Sequence, residues 1–257
     1  MITDLAATFL GWEMPDSPDD LSETIAAWQE LAAHLDHSQD HIAQARRLSY
    51  RTRLRCGLGY CLLEDWPQAQ RVLEEAEAAG EGEPSLADVA PLLLGTAYAA
   101  QGQYEAAIAR WTEVLDHMAQ SRPGRGRAVF SPQATILYLY RGELYAEVGQ
   151  YEQAMADCER ALRDHPHCAE AYAVRGQCLA YLERYEQAVT DCDRAIELAP
   201  DDARVYRRRG RVYLRMREYE KALADFDRAL DRDPADTLAA AGRREATVGL
   251  LFRIMTA

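Results

Sequence analysis

The chain has 257 residues, 48% of them hydrophobic and 28% charged, a balance that supports a folded core and excludes a disordered chain. A net charge of −13 excludes general affinity for nucleic acid except at a local basic patch. No stretch comes near the roughly 20 apolar residues that a membrane helix needs, so no membrane span is expected.

The N-terminal sequence Met1-Ile2-Thr3-Asp4-Leu5 lacks the basic start of a secretory signal, and a cytoplasmic location is expected. Residues 1–18 read as a short helix or an ordered tail. Asp19–Leu35 and Gln39–Leu63 read as a helical hairpin, so that 1–49 form an N-terminal cap. Leu31–Arg46 also fits a helix-turn-helix pattern loosely, and this hairpin, or the arginine cluster at 204–215, is the basis of an alternative function as a nucleic-acid-linked regulator. Against it, residues 1–49 hold nine acidic side chains and two basic ones, and Asp36 stands where the turn usually has glycine. In the same region His34, Asp36, His37, Asp40 and His41 gather ligand types, with His37 and His41 one helical turn apart. The sequence offers no matching ligands elsewhere to close a site, and no metal or other cofactor is expected. The six cysteines, at 56, 61, 158, 168, 178 and 192, form no C-x-x-C pair and read as small buried hydrophobes.

From residue 135 the sequence repeats. Blocks 135–168, 169–202 and 203–236 align without gaps over 34 residues each. They share Tyr at position 4 (Tyr138, Tyr172, Tyr206) and Arg-Gly at positions 7 and 8 (Arg141-Gly142, Arg175-Gly176, Arg209-Gly210). Tyr-Glu follows at 17 and 18 (from Tyr151, Tyr185 and Tyr219), Ala at 20 and 27, and Pro at 32 (Pro166, Pro200, Pro234). Positions 4, 7, 8 and 11 lie on one face of a first helix, and 20, 24 and 27 on one face of a second. Glycine at 8 and alanine at 20 let the two helices approach closely, and the proline ends the unit. Two more worn copies precede them. Block 88–121 keeps Gly95, Tyr98, Gly102, Tyr104-Glu105, Ala107 and Trp111. Block 50–83 keeps Gly57, Tyr60, Trp66, Ala69 and Ala76. Between the two sets, 122–134 is rich in Pro, Gly and Arg and reads as a loop. After them, 237–257 reads as a capping helix that covers the apolar end of the stack. Arg at position 7, Asp at 23 and Arg at 26 recur together and point to a ladder of ion pairs across the helices.

This pattern resembles the tetratricopeptide repeat over residues 50–236. The resemblance implies an all-α fold, a right-handed α-solenoid of helix-turn-helix repeats with helical caps. It further implies a non-enzymatic scaffold or adaptor that binds a protein or peptide in a concave groove. In that family the groove is lined by positions 2, 5, 6, 9, 12 and 13 of each first helix. Those positions are apolar upstream, with Leu92, Leu93 and Thr96 in the second block. They become mixed with Leu139, Tyr140 and Glu143, then Gln177 and Tyr181. In the last block they are basic: Arg204, Arg207, Arg208, Arg211 and Arg215. Each guanidinium can hold a carboxylate through two hydrogen bonds, so a partner with an acidic portion is expected. The same arginines could instead pair with carboxylates of their own chain. The carboxylate clamp of chaperone-binding members needs Lys and Asn in the groove. This chain has no Asn, and its one lysine, Lys221, lies on a second helix. Nothing in the sequence forms a nucleophile with its base, so no enzymatic activity is expected.

Overall fold

In each repeated helix pair a first helix stops after position 13 because the backbone turns left-handed two residues later. That residue is Glu64, Gly102, Gly149, Glu183 or Arg217, with φ between 57° and 79°. The N–H of the following residue bonds back to the carbonyl at position 11, as Asp65 does to Tyr60, Gln103 to Tyr98 and Arg184 to Leu179, at 2.8–2.9 Å. This six-to-one bond satisfies a carbonyl orphaned by the helix end. Three of the five left-handed residues are not glycine, a conformation that costs an L-residue roughly 1 kcal/mol.

The computed structural model describes residues 17–36, 42–78, 86–120 and 132–256, and the regular structure among them is entirely helical, apart from one short turn of tighter helix. The twelve α-helices of the described residues are α1 (Pro18–Asp36), α2 (Ile42–Leu62), α3 (Trp66–Ala78), α4 (Val89–Ala100), α5 (Tyr104–Gln120), α6 (Pro132–Glu147), α7 (Tyr151–Asp164), α8 (Ala169–Tyr181), α9 (Tyr185–Leu198), α10 (Ala203–Arg215), α11 (Tyr219–Arg232) and α12 (Thr237–Thr256). The chain divides into two compact units, 1–126 and 127–257. No helix among the described residues is long and apolar enough to cross a membrane.

Every pair closes on the same small-against-large contact. Glycine at position 8 faces the residue at position 24: Gly57 meets Leu73, Gly95 meets Trp111, Gly142 meets Cys158, Gly176 meets Cys192 and Gly210 meets Phe226. A Cβ at 176 would stand 2.7 Å from the Cys192 sulfur and 2.9 Å from a backbone oxygen, so a side chain there would force the helices apart. Cys158 and Cys192 are fully buried and fill the core as small apolar groups.

In the first unit Leu54, Leu58, Leu73, Leu93 and Leu94 form the centre of the core. Ser17 caps α1 by accepting from the Asp20 N–H at 3.2 Å, and Leu21 and Ile25 seat the helix on Cys56 and Val72. In the second unit Phe226 is fully buried among Val205, Ala229, Ala239 and Ala246. Here α12 lies directly on the ring, since a Cβ on Gly242 would fall 2.4 Å from it.

The Arg–Asp ladder belongs to the second unit and joins the two helices of each pair. Arg141, Arg175 and Arg209 each donate two bonds, of 2.7 and 2.8 Å, to Asp157, Asp191 and Asp225. Arg209 also reaches Asp193 of the preceding pair at 2.7 Å. The position-26 arginines join it unevenly. Arg160 and Arg228 bond Asp157 and Asp225 at 3.2 Å, whereas Arg194 turns to Glu197.

One boundary differs from the sequence reading. The loop expected over 122–134 gives up its last three residues, because α6 already starts at Pro132, where a missing N–H leaves no helical bond unmade. The rest of that loop lies outside the described residues. So do residues 1–16 and 37–41, and with them His37, Asp40 and His41 of the metal cluster and the turn of the helix-turn-helix reading. His34 is exposed at the end of α1. No group of three metal-ligating side chains forms among the described residues.

Candidate functional site

The first helices α8, α10 and α12 stand side by side in the second unit and enclose an open cavity of about 380 Å³. Its wall includes Tyr181 from α8, Arg211, Leu214 and Arg215 from α10, and Leu238 and Glu245 from α12. Two cations face this space without an ion-pair partner among the described residues. Arg211 is half-buried and makes no hydrogen bond to them. Arg215 donates one bond of 3.3 Å to the Ala180 carbonyl and lies 4.1 Å above the Tyr181 ring. That ring stacks in turn on Tyr151 at 4.6 Å and 11°. The stack fixes the Arg215 guanidinium plane without neutralising its charge.

The other three arginines expected in the groove are occupied, as is Arg209 of the same helix through the ladder. Arg204 pairs with Asp202, and its backbone N–H bonds the same carboxylate as a helix cap. Arg207 is held by Asp236 at 3.0 Å. Arg208, with a side chain only 11% exposed, is buried between Glu170 at 2.7 Å and Glu143 at 2.5 Å, and donates to the Gln177 amide oxygen at 2.9 Å. Of the five arginines expected at groove positions, Arg204, Arg207 and Arg208 thus pair with carboxylates of the chain, and Arg211 and Arg215 do not.

The apolar residues are redistributed as well. Leu93 is 1% and Leu92 7% exposed, both within the packing of the first unit, and the Thr96 hydroxyl donates to the Leu92 carbonyl at 3.1 Å. The two leucines are core rather than open surface, and Thr96 is half-buried. Leu139 packs against Cys158 and Val174, and Tyr140 is half-buried near the glutamates. Gln177 is buried at 3% exposure and belongs both to the Arg208 network and to the cavity wall.

The glutamates around Arg208 have diverged in acidity. Burial pushes Glu143 up to about 7; Arg208 opposes this, and the adjacent Glu170 carboxylate adds to it. Glu170 is held below its ordinary value, because the charges of Arg208 and Arg204 outweigh its own burial. A raised carboxyl keeps its proton in the folded chain while the unfolded chain has lost it. Stability should therefore fall as pH rises from 4.5 to about 7. The Glu170 contribution, stabilising above 4.5, is lost only below that value, outside the window. Glu143→Gln should flatten the slope between these limits, as read from urea unfolding at a series of pH values. An unchanged slope would show that another group carries it.

Sequence reasoning passed over Glu170 and the α12 wall. Glu170 stands at position 2 of its block, and the 34-residue register carried past 236 puts Leu238, Ala241, Gly242 and Glu245 at positions 2, 5, 6 and 9. The α12 residues look like a sixth first helix, a signal hidden by the absence of the Arg-Gly pair.

The tetratricopeptide repeat profiles match this chain over residues 92–160, 139–203 and 176–246. A comparison with curated proteins found no match. Among solved structures, YrrB, described as a tetratricopeptide repeat protein with an unusual peptide-binding site, is 20% identical, with a TM-score of 0.52 over 75% of this chain and 91% of its own. A thermophilic repeat protein from Thermus thermophilus is 21% identical, with a TM-score of 0.56 over 79% of this chain and 99% of its own. A repeat protein from Parabacteroides merdae is 21% identical, with a TM-score of 0.58 over 78% and 73%. At such identities the likeness concerns the fold: an all-α solenoid of helical repeats. Together with the repeat profiles, it establishes that this chain belongs to the tetratricopeptide repeat family.

Proposed function

We propose that the protein is a non-enzymatic adaptor whose second unit receives an acidic peptide segment in the cavity between α8, α10 and α12. The observation that carries this reading is the pair Arg211 and Arg215, cations in a concave wall that form no ion pair with the described residues. Guanidiniums outside any ion pair are open to a carboxylate, and two of them can each offer a two-pronged bond. Leu214 and Leu238 supply apolar surface beside them, so the segment combines an acidic residue or terminal carboxylate with an aliphatic neighbour. Glu245, on the rim, disfavours a second acidic group at that side. The peptide binding described for YrrB is consistent with this use of the fold.

A peptide array tests the proposal. Peptides bearing Asp, Glu or a free C-terminal carboxylate next to Leu or Ile should retain the protein, and their amide counterparts should not. Equal retention of acids and amides would refute it.

A further inference from the structure

The helix α12 runs on where every earlier first helix stops. Helices α2, α4, α6, α8 and α10 all end at position 13, yet α12 stays helical through Leu251, at position 15, to Thr256. No second helix of the described chain folds back on it. One side of α12, carrying Ala239, Gly242, Ala246 and Gly249, seats it on α11, where Gly249 lies against the Tyr219 ring. At 100° per residue, Val248, Leu251 and Met255 lie on the far side, with Phe252 at its edge. These four side chains are 66%, 54%, 85% and 69% exposed, and Ile254 beside them is 65% exposed. Their spacing, i, i+3, i+4 and i+7, is that of a helix seam rather than of scattered surface residues.

We infer that this stripe is a self-association surface, on which α12 of a second copy packs antiparallel about a two-fold axis. Three features favour a second copy over another occupant. With the axis between Leu251 and Phe252, Val248 of one copy meets Met255 of the other, and Leu251 meets Phe252. A short side chain thus faces a long one at each outer site. No charge need be buried, because Arg253, the one ionic residue of 248–255, is turned aside to Glu220 of α11. The four side chains present on the order of 500 Å² of apolar surface per copy, and flanking residues bring the contact to about 1,200 Å² in all, enough for a specific, modest dimer. The surface is separate from the cavity-lining residues of α12, Leu238 and Glu245, so this inference stands or falls apart from the proposed function.

Sedimentation equilibrium of the full chain over a wide concentration range tests it. The wild-type protein should move from the mass of one chain to that of two, and Leu251→Glu/Phe252→Glu should stay at one with its helical circular dichroism unchanged. A wild-type chain that remains single at every concentration, or a double variant that still dimerises, overturns the inference. Disulfide trapping of Leu251→Cys, which lies beside the two-fold axis, tests the contact without introducing charge. The native cysteines, buried apart from the half-buried Cys168, give the background against which it is read. The variant should cross-link in solution, whereas Arg228→Cys, on exposed α11 surface, should not. Cross-linking at Arg228→Cys but not at Leu251→Cys would overturn it equally.

Discussion

Asp157→Ala is expected to lower the free energy of unfolding by about 3–5 kcal/mol, one of the two largest single-residue effects anticipated for this chain. Asp157 is 1% exposed and receives two bonds from Arg141, whose side chain is 7% exposed. Removing the carboxylate strands a guanidinium where little water can reach it, and a third charge, Arg160, loses its partner as well. The ladder supplies its own controls. Asp225 pairs with an arginine that is 15% exposed, and Asp191 with one that is 23% exposed. The loss should be largest at Asp157 and smaller at the other two, because water reaches Arg175 more readily and Arg209 keeps its bond to Asp193. Urea unfolding followed by circular dichroism measures all three. Equal losses, or the smallest at Asp157, would mean that stranding of the arginine is not what sets the cost.

Phe226→Ala should cost a similar amount, about 3–5 kcal/mol, by a different mechanism. The ring is fully buried, and the groups nearest to it include two glycines, Gly210 and Gly242, which have no side chain to move into the space it leaves. The cavity should therefore stay open, and the seat of α12 should loosen with it. Cys192→Ala, at the equivalent position of the preceding pair, removes one sulfur atom and should cost only about 1 kcal/mol. Adding Gly242→Ala to Phe226→Ala should recover part of the loss, since a methyl group there points into the vacated volume. A Phe226→Ala chain as stable as Cys192→Ala would contradict this packing account.

Much of the fold could be read from the sequence because its physics is periodic. Glycine at position 8 with a larger residue at 24, and Arg at 7 with Asp at 23, are local pairings that recur within one helix pair, so three copies side by side expose them. The left-handed residue at position 15 was not legible, since Glu64, Glu183 and Arg217 carry no sign of it; the two helices they join impose the conformation. The site was legible only as a set of positions. Which of five arginines is free depends on carboxylates far along the chain, Glu143 and Glu170 for Arg208 and Asp236 for Arg207. Those pairings fix the neighbours of one first helix against the next, and block-by-block reading does not contain them.

On α10, neutralised and unneutralised cations stand on a single helix. Four arginines of α10, Arg209 of the ladder among them, are held by carboxylates of the chain, and Arg211 and Arg215 are left facing the cavity. The most direct measurement is a calorimetric titration of the strongest acidic array peptide into the wild-type chain and into Arg211→Gln, Arg215→Gln and the double variant. A charge-assisted hydrogen bond contributes roughly 1.5–3 kcal/mol, so each single change should weaken binding about 10- to 100-fold, with the larger loss in the double variant. Unchanged affinity in the double variant, with unfolding behaviour like that of the wild type, would contradict the account.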